Sequence, residues 1–94
     1  MDKFFIGEEC LALENKRIVE LKYFLLEQSI ISEETGESTK SYGIEVEKWS
    51  GKKVEKDFVC DITTEKECAM SITNCLKKNK IMPIHLKDVI VDML

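Results

Sequence analysis

The sequence predicts an α+β domain: a four-stranded antiparallel meander sheet with two C-terminal helices packed on one face, in the order ββββαα. Three observations predict it. The first two-thirds of the chain alternates apolar and polar residues at period two, the period of a strand, between short polar breaks. The last third changes to three- and four-residue spacing, the period of a helix. With 94 residues there is room for one core and one domain, residues 1–94. A sheet with one apolar face then has to be covered by the helices in a second layer.

The elements follow in chain order. Phe4 to Leu13 is the first strand, with Gly7 as the site of a bulge. Glu14 to Lys16 makes a turn. The segment RIVELKYFLLEQSII is rich in β-branched and aromatic residues and reads as the second strand. Val19, Leu21, Tyr23 and Leu25 share one face, and Glu20 and Lys22 share the other. From Phe24 onward both parities are apolar, so the far end of this strand is expected to be covered on both sides. The polar stretch Ser32 to Lys40 is a loop.

Alternation resumes in SYGIEVEKW, with Tyr42, Ile44 and Val46 inward and Glu45 and Glu47 outward. Ser50 to Lys52 is a hairpin connection. In VEKDFVCDI the residues Val54, Phe58, Cys60 and Ile62 share a parity and are assigned to the core. Short connections make antiparallel neighbours, which is the meander.

Thr64 stands three residues before Glu67, which matches a capping box at the start of the first helix. Cys68, Ala69, Ile72, Cys75 and Leu76 form its apolar stripe. Lys77, Lys78 and Lys80 oppose the helix dipole at its end, and Asn79 is assigned as a left-handed cap. Leu86, Val89, Ile90, Met93 and Leu94 make the stripe of the second helix.

Charge and composition exclude several functions. The chain is 44 % hydrophobic and 34 % charged, a globular composition. A net charge of −4 argues against nucleic acid and against an anionic membrane surface, since both demand a basic face. Gly7, Glu8 and Glu9 interrupt the apolar start of the chain, and no window approaches the ~18 apolar residues of a membrane span. The chain reads as cytoplasmic, with Cys10, Cys60, Cys68 and Cys75 as reduced thiols. The four glycines are scattered and make no phosphate-binding pattern.

Zinc is the first candidate among the sites, through Cys60, Cys68, Cys75 and His85. No CxxC pair is present, and Cys68 and Cys75 sit two turns apart on one helix, with backbones ~10 Å apart. No metal and no cofactor is expected. Glu45 and Glu47 share a strand face, as do Glu55 and Asp57, and paired strands would line all four acids along the outer sheet surface. That surface is either simply solvated or an acidic patch that meets a basic partner. Trp49 shares the parity of the glutamates. It is either an outward interface anchor or, if the strand bends at the turn, a cap on the edge of the core. Phe4 and Phe5 are adjacent, so only one of them reaches the core easily.

His85 and Asp88 could be read as a general base with its orienting carboxylate, but no nucleophile accompanies them. A capping assignment uses every neighbour. His85 is the N-cap, Asp88 is at N3, and Ile84 and Val89 make a hydrophobic staple behind Pro83. Histidine is not among the best N-caps, which leaves room for a second role.

Two stretches, YGIEVEK (Tyr42 to Lys48) and NKIMPIHLKDVI (Asn79 to Ile90), occur in an order and spacing that resembles a small family of clostridia-type, spore-forming bacteria. That family is a domain of unknown function. The resemblance spans residues 17–94, implies a stand-alone cytoplasmic protein, and carries no activity. It leaves residues 1–16 unexplained.

The expectation is therefore a small non-catalytic protein that binds a protein partner or regulates one, with a homodimer as one form. Trp49, Glu45 and Glu47 are its candidate interface. The alternatives are a phage-type inhibitor acting through an acidic face, and a small enzyme centred on His85.

Overall fold

In a computed structural model, which describes residues 1–94, the alternating segments form β1 (Asp2–Ala12), β2 (Ile18–Ile31), β3 (Ser38–Ser50) and β4 (Lys53–Thr63). The four strands pair antiparallel in chain order, so the sheet is a meander with β1 and β4 at its edges. α1 (Lys66–Lys78) follows, then a 3-10 turn at Pro83–His85 that runs directly into α2 (Leu86–Met93). The α+β architecture read from the periodicity is the one observed.

Both helices lie on one face of the sheet. The core there joins Leu21 and Tyr23 of β2 and Ile44 and Val46 of β3 to Leu76 of α1 and to Leu86 and Ile90 of α2. Leu25, Tyr42 and Ala69 continue it towards the start of α1. Each fully buried aliphatic side chain here contributes about 1.5–3 kcal/mol relative to leaving it exposed. The Tyr23 hydroxyl donates to the Ile81 carbonyl at 2.9 Å and ties the sheet to the connection between the helices. Burial, with a smaller part from the charge of Glu9, pushes this hydroxyl far above the usual tyrosine range.

Two irregularities shape the sheet. The pairing of β1 with β2 shifts between Phe5 and Gly7, which leaves Ile6 as the extra residue of a bulge. Ile6 packs beside Leu25, Tyr42 and Ala69. A larger shift separates Tyr42 and Ile44 on β3 from Thr63 and Val59 on β4. At that point β4 folds over Gly43 so closely that a Cβ there would lie 2.2 Å from the Val59 carbonyl oxygen. Asp61, at the same bulge, takes a left-handed φ of 55° and accepts the Ser41 hydroxyl at 2.5 Å.

The hairpin register corrects the reading of β4. Val54 and Phe58 are exposed, while Val59 and Ile62 pack against the core. Val54 pairs with Trp49 and Phe58 with Glu45, so both point to the face opposite the helices. Ile62 packs against the core from within the irregular stretch between Val59 and Thr63. At the far end of β2, Leu26 is buried as expected, but Ile30 and Ile31 are exposed.

Local helix details also differ from expectation. The residue that caps α1 is Glu65, without a side-chain cap bond, so the Thr64–Glu67 box is not made. Instead the Thr63 hydroxyl accepts the Glu65 N–H at 3.1 Å and organises the entry one residue earlier. The buried stripe of α1 is Ala69, Thr73 and Leu76, and Cys68 is exposed. Thr73 is tolerated inside because its hydroxyl donates to the Ala69 carbonyl at 2.7 Å. At the other end Lys80, not Asn79, is left-handed, with φ 52°. The N–H of Ile81 reaches the Leu76 carbonyl and that of Lys80 the Lys77 carbonyl, a Schellman ending.

Candidate functional site

The face of the sheet that no helix covers carries the candidate site. Cross-strand register places its side chains in rows. One row runs Phe5, Phe24, Glu45, Phe58 across β1 to β4. The next runs Glu8, Lys22, Glu47, Lys56, and a third runs Cys10, Glu20, Trp49, Val54. Lys3 stands beside Leu26 at the other side of the phenylalanine row.

Glu45, Glu47 and Trp49, the candidate interface residues, are thus together on the uncovered face. The acids are not solvated, because Glu45 and Glu47 are 8 % and 7 % exposed. The Lys3 ammonium donates to Glu47 Oε2 at 2.6 Å and forms a close ion pair with Glu45. Trp49 Nε1 donates to the other oxygen of Glu47 at 3.0 Å. Burial pushes the Glu47 carboxyl up, but the bonds from Lys3 and Trp49 outweigh it and hold the group below the usual carboxylate range. Burial likewise pulls the Lys3 ammonium down, and the two glutamates more than reverse it. Glu47 is therefore ionised at neutral pH and has no proton to give.

Aromatic rings surround this cluster. Lys3 Nζ lies 4.2 Å from the centre of the Phe24 ring, and Lys22 Nζ lies 4.5 Å from that of Trp49. Phe5 meets Phe24 edge to face at 5.6 Å. Met1, Lys3, Leu26, Glu45 and Phe58 line a shallow hollow of about 260 Å³ at the end of the cluster. Trp49 is 36 % exposed, which fits the outward placement rather than the core-edge cap.

Other expected features fall elsewhere. Glu55 and Asp57 pair with Lys48 and Val46, on the helix side, so the four acids do not share a surface. There Asp57 meets Lys87 at 3.6 Å. His85 does occupy the N-cap position of α2, but its side chain makes no cap bond. Ile84 is 77 % exposed, so no staple with Val89 forms. His85 and Asp88 are both exposed and make no ion pair or hydrogen bond with each other. No group of three His, Cys, Asp or Glu side chains is placed to hold one metal ion. No helix is long and apolar enough to cross a membrane.

Sequence reasoning missed Lys3 and Phe58 as members of this face. Phe58 was legible. Ser50 pairs with Lys53, so only Gly51 and Lys52 form the loop, and that spacing puts Phe58 opposite Glu45. Lys3 was not legible, because its approach to Glu45 and Glu47 spans two strands and depends on the β1 bulge.

A family model described as a family of unknown function, DUF6514, matches residues 2–94. The chain belongs to this family. The DUF6514 match includes the whole of β1, the part that the two motif stretches left unexplained. No curated protein and no solved structure matches the chain. Membership of DUF6514 assigns no activity, so function has to be argued from the surface itself.

Proposed function

We propose that this DUF6514 protein is a small, non-catalytic, cytoplasmic protein-binding module that works through the open face of its sheet. One observation carries the reading. Phe5 and Phe58 are 56 % and 52 % exposed on a face whose two central carboxylates are already buried and held by Lys3. Large aromatics around a desolvated polar centre are what a protein interface uses as anchors. Trp49 adds a third anchor, oriented by its bond to Glu47. A catalytic role for the two glutamates gains nothing from their geometry, because Lys3 holds both as its counterions. An inhibitor that mimics nucleic acid needs a dense acidic stripe, and Glu55 and Asp57 stand on the other side of the sheet from Glu45 and Glu47.

Site-specific photo-crosslinking in the host cell tests the proposal. A photoreactive residue in place of Phe58 should give protein adducts, and the same residue in place of Val91, 72 % exposed on α2, should not. Equal yields from both positions, or none from position 58, would overturn it.

A further inference from the structure

The occupant of the open face can be named from its charges. Across the sheet, the row Glu8, Lys22, Glu47, Lys56 alternates negative, positive, negative, positive. Glu8 and Lys56 are exposed at the two edges, and neither has an ion-pair partner within the chain. We infer that the open face pairs with the same face of a second copy, about a two-fold axis that runs parallel to the strands between the two sheets. This rests on the reading of that face as a protein-binding surface.

The geometry follows from symmetry. Such an axis lays β1 over the partner's β4 and β2 over the partner's β3 while leaving each cross-strand row at its own height. Glu8 of one copy then faces Lys56 of the other, and Lys22 faces Glu47, so every charge of the row meets its opposite. In the next row Phe5 faces Phe58 while Phe24 lies over Glu45, which Lys3 already pairs, and in the third Cys10 faces Val54 while Glu20 lies over Trp49. An in-plane axis perpendicular to the strands does the reverse. With that axis on the charged row, Glu8 lies on Glu8 and Lys22 on Lys22, which is repulsive. The charges select one of the two arrangements and set its register, while the aromatics supply the contact area.

The size is adequate. Four strands about 4.8 Å apart, with edge strands of 11 residues at about 3.3 Å each, present roughly 700 Å². Two such faces remove about 1,400 Å² from water, within the ~1,600 ± 400 Å² of a specific interface. Two twisted sheets stack at a separation of about 10 Å with a small rotation, which these side chains can fill.

The experiment uses the full chain in sedimentation velocity over a concentration series. Wild type should dimerise. Glu8→Lys and Lys56→Glu should each weaken the dimer roughly tenfold or more, since each dimer holds the altered pair twice. An equimolar mixture of the two variants should recover a heterodimer, because both outer pairs are then opposite again. Should a reversed chain fail to fold by circular dichroism, Glu8→Gln and Lys56→Gln replace them, and their mixture should still favour the heterodimer, which regains one pair. A wild type that stays monomeric would overturn the self-pairing, and adducts to other proteins from position 58 would then leave the open face as a binding surface. A dimer indifferent to both substitutions, or one that mixing does not restore, would overturn the register.

Discussion

On the helix-covered face of the sheet, Leu21, Tyr23, Ile44 and Val46 have no solvent exposure, whereas on the open face Phe5 and Phe58 keep about half of theirs. The same four strands build both faces. The covered face is closed by shape, with aliphatic side chains of β2 and β3 meeting those of the helices. The open face is closed only at its centre, and by charge: Lys3 bridges Glu45 and Glu47 under a rim of aromatic rings. The sheet is therefore sealed on one side by the helices and leaves large aromatic side chains partly in water on the other.

The largest expected effect lies on the covered face. Leu21→Ala should cost about 2–5 kcal/mol in urea unfolding, the range for an aliphatic side chain removed from a tight core. Phe58→Ala, at concentrations where the chain is monomeric, should cost about 1 kcal/mol or less, since half of that side chain is already in water. Equal costs at the two positions would erase the contrast between the faces.

A smaller effect sharpens the contrast at the centre of the open face. Lys3→Met leaves Glu45 and Glu47 facing each other without their cation. It should cost about 1–3 kcal/mol near neutral pH, less than for a fully buried pair because Lys3 is itself 38 % exposed. The pH dependence has a definite sign. The folded-state value of Glu47 is depressed, so its stabilising contribution is complete above about pH 5 and is lost as the pH falls through the folded value. Lys3 is raised, so its share is complete below about pH 10 and is lost as the pH rises through its folded value. Unfolding midpoints measured across pH should fall less steeply with acid in Lys3→Met than in wild type. Parallel curves would show that the cluster contributes no net stability.

The smallest effect is expected at His85, whose side chain is exposed at the start of α2. Its side chain makes no cap bond, so His85→Asn should keep or raise the melting temperature, by up to about 1 kcal/mol in stability. A clear loss of stability would mean that the histidine does more for the start of α2 than its backbone position suggests.

Much of this molecule is legible one residue at a time. The period-two pattern of β2 and β3 places Val19, Leu21, Tyr23, Ile44 and Val46 on the covered side and Glu45, Glu47 and Trp49 on the other, as observed. Those strands are central and unbroken, and parity is preserved along an unbroken strand. β4 departs from its apolar pattern because the two-residue hairpin at Gly51 and Lys52 fixes its register, setting Val54 opposite Trp49 and Phe58 opposite Glu45. Hydrophobicity alone favoured Val54 and Phe58 for the core, and the hairpin register overrules it. The helix caps were misplaced for a local reason. Several polar residues near each terminus can serve: Glu65 is the N-cap, with Thr63 rather than Thr64 bonding its N–H, and Lys80 rather than Asn79 takes the left-handed position.

The sequence by itself determined the order of elements, the antiparallel meander and the sealed side of the sheet, because these depend on periodicity and on short connections. Only the tertiary structure decided that Lys3 sits between Glu45 and Glu47, that Glu55 and Asp57 stand on the opposite face from them, and that four alternating charges line up across the sheet. These facts depend on which strand lies beside which and in what register. No single segment contains that information, since it arises only when residues more than forty positions apart, Lys3 and Glu47 among them, are brought to within one hydrogen bond.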